Sequence, residues 1–271
     1  MSFINRSPIL SGCVAFSIGL WALPAEAITL ATSKGEFSFE NFSHPVTFGD
    51  VSIDTSSFIS PSTPKPQGGI VETEGDVFFD TALGKGANVL FSEIFLPQPT
   101  TASTDGVASL LGNFAIGAND VFSFNFFGGV SVNTSVDQPS KEAATAFSGA
   151  GFLLFDITDA ANPILLDSLG LFGRTSTADN NDILDFAFDS PSNISISNSS
   201  FDRQFGGWVE SANASVSGMY QRTFSSDTIV SLQEIKNTGA DSSAIPEPTT
   251  SLLIGGLLST GVWLKKRRAN R

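Results

Sequence analysis

Phenylalanine at every second residue constrains this chain more than any other feature. Phe122-Ser123-Phe124-Asn125-Phe126 alternates apolar and polar side chains, and a period of two sends the two sets to opposite faces of a strand. The same alternation recurs in Val46-Thr47-Phe48, Val51-Ser52-Ile53 and Ile194-Ser195-Ile196. Each run would turn one face to a core and the other to water, as antiparallel sheets do. The denser apolar runs Gly151-Phe152-Leu153-Leu154-Phe155 and Ile164-Leu165-Leu166 predict more central strands.

Turn chemistry divides these runs. The stretch from Pro61 to Gly69 is rich in Pro, Ser and Gly, Asp105-Gly106 and Gly128-Gly129 read as tight-turn pairs, and Ala161-Asn162-Pro163 breaks the chain again. A helix has little room: Lys141 to Ala146 is the best candidate, about two turns at most. No internal repeat is evident. The expected fold is therefore all-β, an antiparallel β-sandwich of jelly-roll-like type. It would span 28–236 as one domain, and the small polar residues 237–244 read as a flexible spacer after it.

Charge narrows the partners. Between Ile28 and Pro248 there are 8 Lys and Arg against 26 Asp and Glu, a net −18. A surface that acidic repels phosphate backbones, so nucleic acid is excluded as a partner, whereas divalent cations are attracted. The one cysteine, Cys13, precedes this body, which thus has no thiol, disulfide or cysteine-based metal site.

Chemical motifs are sparse. His44 is the only histidine, which rules out zinc sites built on several His or Cys ligands and leaves any His-based triad one possible base. No Gly-x-Ser-x-Gly elbow, His-Glu-x-x-His pair or P-loop occurs. Two suitably spaced carboxylates would suffice for glycoside hydrolysis, but the 26 acids single out no pair. The expectation is no catalytic residue and no enzyme. The densest oxygen-ligand cluster, Asp179-Asn180-Asn181-Asp182-Ile183-Leu184-Asp185, makes Asp179, Asn181, Asp182 and Asp185 the calcium candidates. It lacks the glycine and the late Glu of an EF-hand loop. An Asx-rich turn leading into a strand from Ile183 to Phe188 is the plainer reading, and no other cofactor is expected. Asn-x-Ser/Thr sequences at Asn41, Asn133, Asn193, Asn198 and Asn213 are expected by chance in so Ser-rich a chain.

The two ends say more. Asn5-Arg6, an uncharged run from Ile9 to Leu23 and Ala25-Glu26-Ala27 form the three parts of an export signal, so signal peptidase would remove residues 1–27 by cutting after Ala27. Leu10-Ser11-Gly12-Cys13 also matches a lipobox, but it stands before most of the apolar run it should follow. At the other end, Ile245-Pro246-Glu247-Pro248 precedes an uncharged stretch from Thr249 to Leu264 and then Lys265-Lys266-Arg267-Arg268. Sixteen residues rise roughly 24 Å as a helix, a short membrane span, and the basic end would stay cytoplasmic. Pro246 and Pro248 keep the segment before it extended.

This tail, residues 245–271, resembles the PEP-CTERM sorting signal of bacterial surface proteins. The resemblance covers only those residues. It implies recognition of Pro246, Glu247 and Pro248 by an exosortase, a membrane-anchored precursor with a transmembrane helix over 249–264, and release to the cell surface or extracellular matrix, often beside exopolysaccharide. The functional expectation is a structural or adhesive surface protein. The alternative is an extracellular carbohydrate-binding or carbohydrate-cleaving domain, for which Trp208 and Tyr220 are the only candidate aromatics outside the Phe core and the termini. Both exposed beside an acidic cleft would favour sugar binding. Phe205-Gly206-Gly207-Trp208-Val209 reads instead as a turn feeding an aromatic into the core.

Overall fold

The alternating runs are realised as strands throughout a computed structural model that describes residues 28–60, 69–97, 100–189 and 192–244. Among these residues there is no helix. The export signal at 1–27 and the tail at 245–271 lie outside them, as do residues 61–68 of the expected Pro-rich turn.

Six strands form one sheet. They are β1 (Thr29–Glu40), β3 (Ile70–Asp80), β4 (Lys85–Leu96), β6 (Val121–Val136), β10 (Ile194–Gln204) and β11 (Val209–Thr223), in the order β10-β11-β6-β1-β4-β3. The other six form the second sheet: β2 (Val46–Ile59), β5 (Ala102–Ile116), β7 (Glu142–Asp156), β8 (Ile164–Ser176), β9 (Ile183–Phe188) and β12 (Thr228–Ala244), ordered β2-β5-β12-β7-β8-β9. Every pairing is antiparallel. The sheets stack as a β-sandwich, with β1 over β7 and β12, and β6 over β7 and β8.

Alternation fixes which side chains fill the space between them. Phe37, Phe39, Phe114, Phe122, Phe124, Phe126, Phe152 and Tyr220 gather at one end of the sandwich. Each fully buried aromatic contributes about 1.5–3 kcal/mol relative to exposure. The other end is filled by small residues, among them Ala31, Ala102, Ala144, Ala146, Ala212 and Ala240. A buried polar belt lies between the two ends. Across it Ser92 and Thr238 hydroxyls meet at 2.8 Å, the Ser148 hydroxyl donates to the Lys34 carbonyl at 2.9 Å, and Asn88 Nδ2 donates to Glu234 Oε2 at 2.7 Å.

Several sequence expectations are corrected. Glu142 to Ala146 is not helical but opens β7, because Ala144 and Ala146 are small enough to pack beneath the facing sheet. Asp105-Gly106 and Gly128-Gly129 are not turns but lie in mid-strand. Their glycines give space to large neighbours: a Cβ on Gly128 would stand 2.6 Å from the Phe37 ring, and one on Gly106 would stand 2.7 Å from the Thr73 methyl. Residues 237–244 are not a spacer. They complete β12 in the interior of its sheet, paired with Val107 to Ala102 on one side and Gly149 to Glu142 on the other, because Thr238, Ala240 and Ser242 face inward at period two. The edge strand β2 is exposed on both faces over nearly its whole length rather than on one. The expected strand from Ile183 to Phe188 is β9.

Chain direction follows from the ladders. Thr29 pairs with Val136, and Ala244 pairs with Glu142 just beyond it, so the described chain enters and leaves the sandwich at its small-residue end.

Candidate functional site

Trp208 and Tyr220, adjacent in prospect as sugar platforms, have opposite fates. The β10–β11 turn places Gly206 and Gly207 at φ of 79° and 154°, where glycine meets no Cβ penalty. Glu210 pins this turn from inside: its Oε1 accepts the amides of Gly206 and Gly207 at 3.0 and 3.2 Å. Burial raises the Glu210 pKa, and Asp182 nearby raises it further. The turn thereby throws Trp208 outward, 62% exposed, at the end where the chain enters and leaves. The aromatic it brings to the core is Phe205, half-buried against the small-residue end, and not Trp208.

Tyr220 is fully buried. Its ring stacks on Phe124 at 5.0 Å, and its hydroxyl donates to Asp167 Oδ2 at 2.6 Å. Arg222 Nη1 donates to the same oxygen at 2.9 Å, and Asn193 Nδ2 reaches Asp167 Oδ1 at 3.1 Å. A β-bulge at Leu166 turns Asp167 inward to receive these groups. Burial, then the Asp167 carboxylate, pushes the Tyr220 hydroxyl far above its ordinary value. Burial works against the Arg222 charge, but Asp167 more than offsets it and holds that pKa up. Asp167 on β8 thereby holds Tyr220 and Arg222 on β11 across the sandwich, with Asn193 bonded to the same carboxylate. Among the described residues no acidic cleft joins Trp208 to Tyr220, which is fully buried.

The calcium candidates are likewise committed. Arg174 places Nη1 and Nη2 3.2 Å from the two Asp179 oxygens and also donates to the Asn181 carbonyl at 2.7 Å. That guanidinium contact, with the Asn181 amide, holds the Asp179 carboxyl well below the usual carboxylate range. Asp182 Oδ1 accepts the Ser176 amide at 2.9 Å, and Asp185 Oδ1 accepts the amide of Phe186 at 2.9 Å from its place on β9. The loop is an Asx turn closed by an arginine fork. Among the described residues no three His, Cys, Asp or Glu side chains gather as a metal would need.

One grouping escaped sequence reading. Ser43 Oγ lies 2.9 Å from His44 Nδ1, and His44 Nε2 lies 3.7 Å from Asp120 Oδ2. The residue types are those of a hydrolytic triad. Ser43 Oγ, however, also contacts the Val121 carbonyl at 3.1 Å and accepts the Ser123 amide at 2.9 Å. These bonds staple the β1–β2 connection to β6 and occupy the hydroxyl with backbone groups. No signal in the sequence would find this grouping, since Asp120 lies 76 positions after His44.

Among the described residues, one surface open to a partner is the outer face of the first sheet. Two shallow hollows open there, one bordered by Lys34, Glu36, Ser131, Asn213 and Ser215, the other by Ser38, Glu40, Asn125, Phe127 and Met219. The face is flat and rich in hydroxyl and amide groups, with Phe127 and Met219 exposed among them. Such a face can hydrogen-bond along an extended polar partner, but it encloses nothing.

Ala25, Ala27, Pro246, Glu247 and Pro248 lie outside the described residues, as does the expected transmembrane helix over 249–264. Among the described residues no helix is long and apolar enough to cross a membrane. No family model, curated protein or solved structure matches the chain.

Proposed function

We propose that this protein is exported, sorted through its PEP-CTERM-like tail to the cell surface or extracellular matrix, and serves there as a structural or adhesive β-sandwich without catalysis. The reading rests most on one observation: polar side chains of the interior join the two sheets, Asn88 to Glu234, Ser92 to Thr238 and Tyr220 to Asp167, and the hollows on the outer face of the first sheet are shallow. The body is jelly-roll-like in that consecutive strands repeatedly change sheet, as β1 to β2, β5 to β6 and β6 to β7 do. Its maturation partners are signal peptidase and exosortase, the precursor is held in the membrane by its tail, and the matrix partner is an exopolysaccharide. Replacing Pro246, Glu247 and Pro248 by alanine in the native host tests the sorting step. The variant is expected to accumulate as an unprocessed, membrane-bound precursor. Normal release of the variant would contradict the reading.

A carbohydrate-binding role has one observation in its favour, the exposure of Trp208, since an indole face can stack on a sugar ring. Under that reading Trp208→Ala abolishes retention on exopolysaccharide without lowering the melting temperature. Unchanged retention removes it.

A further inference from the structure

The polar belt contains a grouping that the surface role does not use. Lys236 and Glu234 stand two residues apart on β12 and face inward, 0% and 1% exposed, and Asn88 faces them from β4 in the other sheet, 1% exposed. Glu234 bridges the other two. Its Oε2 is 2.7 Å from the Asn88 carboxamide nitrogen and its Oε1 is 3.2 Å from Lys236 Nζ. Lys236 Nζ also touches the Asn88 main-chain carbonyl, so amine and carboxamide belong to the same small space. Among the described residues the Asn88 side-chain oxygen has no hydrogen-bond partner although it is buried, a condition that costs free energy.

Room for this approach is made on β1. A Cβ at Gly35 would lie 2.9 Å from both Cγ and Cδ of Lys236 and 3.0 Å from Ser148 Oγ. With glycine there, the lysine stem crosses β1 and delivers Nζ to Asn88. A buried amine and a buried carboxamide that both neighbour one carboxyl group are the components of an amide-exchange reaction, for which a desolvated amine is the activated nucleophile.

We propose that Lys236 and Asn88 join through a covalent amide bond between the two sheets, formed by the chain itself with Glu234 as its acid–base catalyst. The neutral Nζ attacks Cγ of Asn88, with Glu234 in its protonated form donating to the carboxamide as charge develops. The Nζ–Cγ bond forms, Glu234 relays a proton from Nζ to the departing nitrogen, and the Cγ–Nδ2 bond breaks. One ammonia leaves and Glu234 ends as it began, so no oxidant, metal or cofactor is consumed. The protonation states suit the step: burial lowers the Lys236 amine to about 8, and burial raises the Glu234 carboxyl. The product replaces the buried Lys236 amine and the unsatisfied Asn88 carboxamide by one neutral amide and leaves Glu234 as it was, which removes the cost of keeping the lysine charge in the interior. It ties β12, the strand from which the chain leaves toward its tail, to β4 in the opposite sheet.

Intact mass of the protein expressed from the full chain, with its termini mapped on the same sample, decides the matter. The folded protein is expected to weigh less than its mapped sequence by one ammonia, and proteolysis should give a branched peptide joining the segment of Asn88 to that of Lys236. Glu234→Gln, which keeps both reacting groups, should restore the full mass. Asn88→Asp should form the same bond with loss of water instead. The full sequence mass in the folded wild-type protein, with Asn88 and Lys236 recovered in separate linear peptides, would overturn the proposal whatever the variants do.

Discussion

At the scale of the residue, the aromatic end of the core is held by mutual ring contacts. Phe152 alone faces Phe37, Phe39, Phe124, Phe126 and Tyr220 at centroid separations of 5.5 to 6.3 Å. Truncation there leaves a cavity that rings on both sheets cannot close, so Phe152→Ala is expected to cost about 3–5 kcal/mol by denaturant unfolding. Trp208, which touches no core, should change stability by less than about 0.5 kcal/mol when replaced by alanine. A small effect at Phe152 would mean that the rings do not pack as described. The inward Phe positions could be read from period two alone. The inward polar positions could not: Glu234, Lys236 and Thr238 occupy the face that Val230 and Leu232 define, while Ile235 points outward. Period two says which residues share a face. It does not say that a sandwich will bury charge, because that depends on Asn88, 146 positions away from Glu234.

At the scale of the element, the decisive strand is β12. Its last residues, Asn237-Thr238-Gly239-Ala240-Asp241-Ser242-Ser243-Ala244, are small and polar and so look like a linker. Their placement between β5 and β7 supplies ladder partners on both sides, and long-range pairing of that kind overrides local preference. Asn237→Pro separates the two possibilities, since proline in an interior strand removes a ladder donor and leaves a buried carbonyl unpaired. A loss of about 1–3 kcal/mol is expected, where a linker would tolerate the change. Glycine pairs misled for a related reason. Gly128 and Gly129 carry a turn signature, but Gly128 is small because the Phe37 ring lies over it, and the sequence holds no local mark of a residue 91 positions earlier. The Asx turn before β9 was legible because its bonds are local: Asp179 accepts the amide of Asn181, and Arg174 closes it five positions away.

At the scale of the whole molecule, acidity and burial act together on stability. Burial raises the pKa values of Glu93, Glu142 and Glu210 above 4.5 and that of Asp241 above 3.8. A folded state with raised carboxyl pKa values binds more protons than the unfolded chain, so stability falls as pH rises from the ordinary values through the raised ones. Asp159 and Asp179 are shifted downward and oppose this only as pH falls below 3.8. Relief of the net charge of −13 acts in the same direction as the buried acids. The melting temperature should therefore be higher near about pH 5 than near pH 8, and the reverse order would show that these carboxyls are not buried as described. The central claim, export and sorting of a structural sandwich, concerns the molecule as its host delivers it. Intact mass and C-terminal peptide mapping of the native protein, fractionated into cytoplasm, membrane, surface and medium, test it most directly. The account predicts a surface or medium species that begins at Ile28 and lacks the residues beyond the Pro246-Glu247-Pro248 region. A mature population that still ends at Arg271 would contradict it.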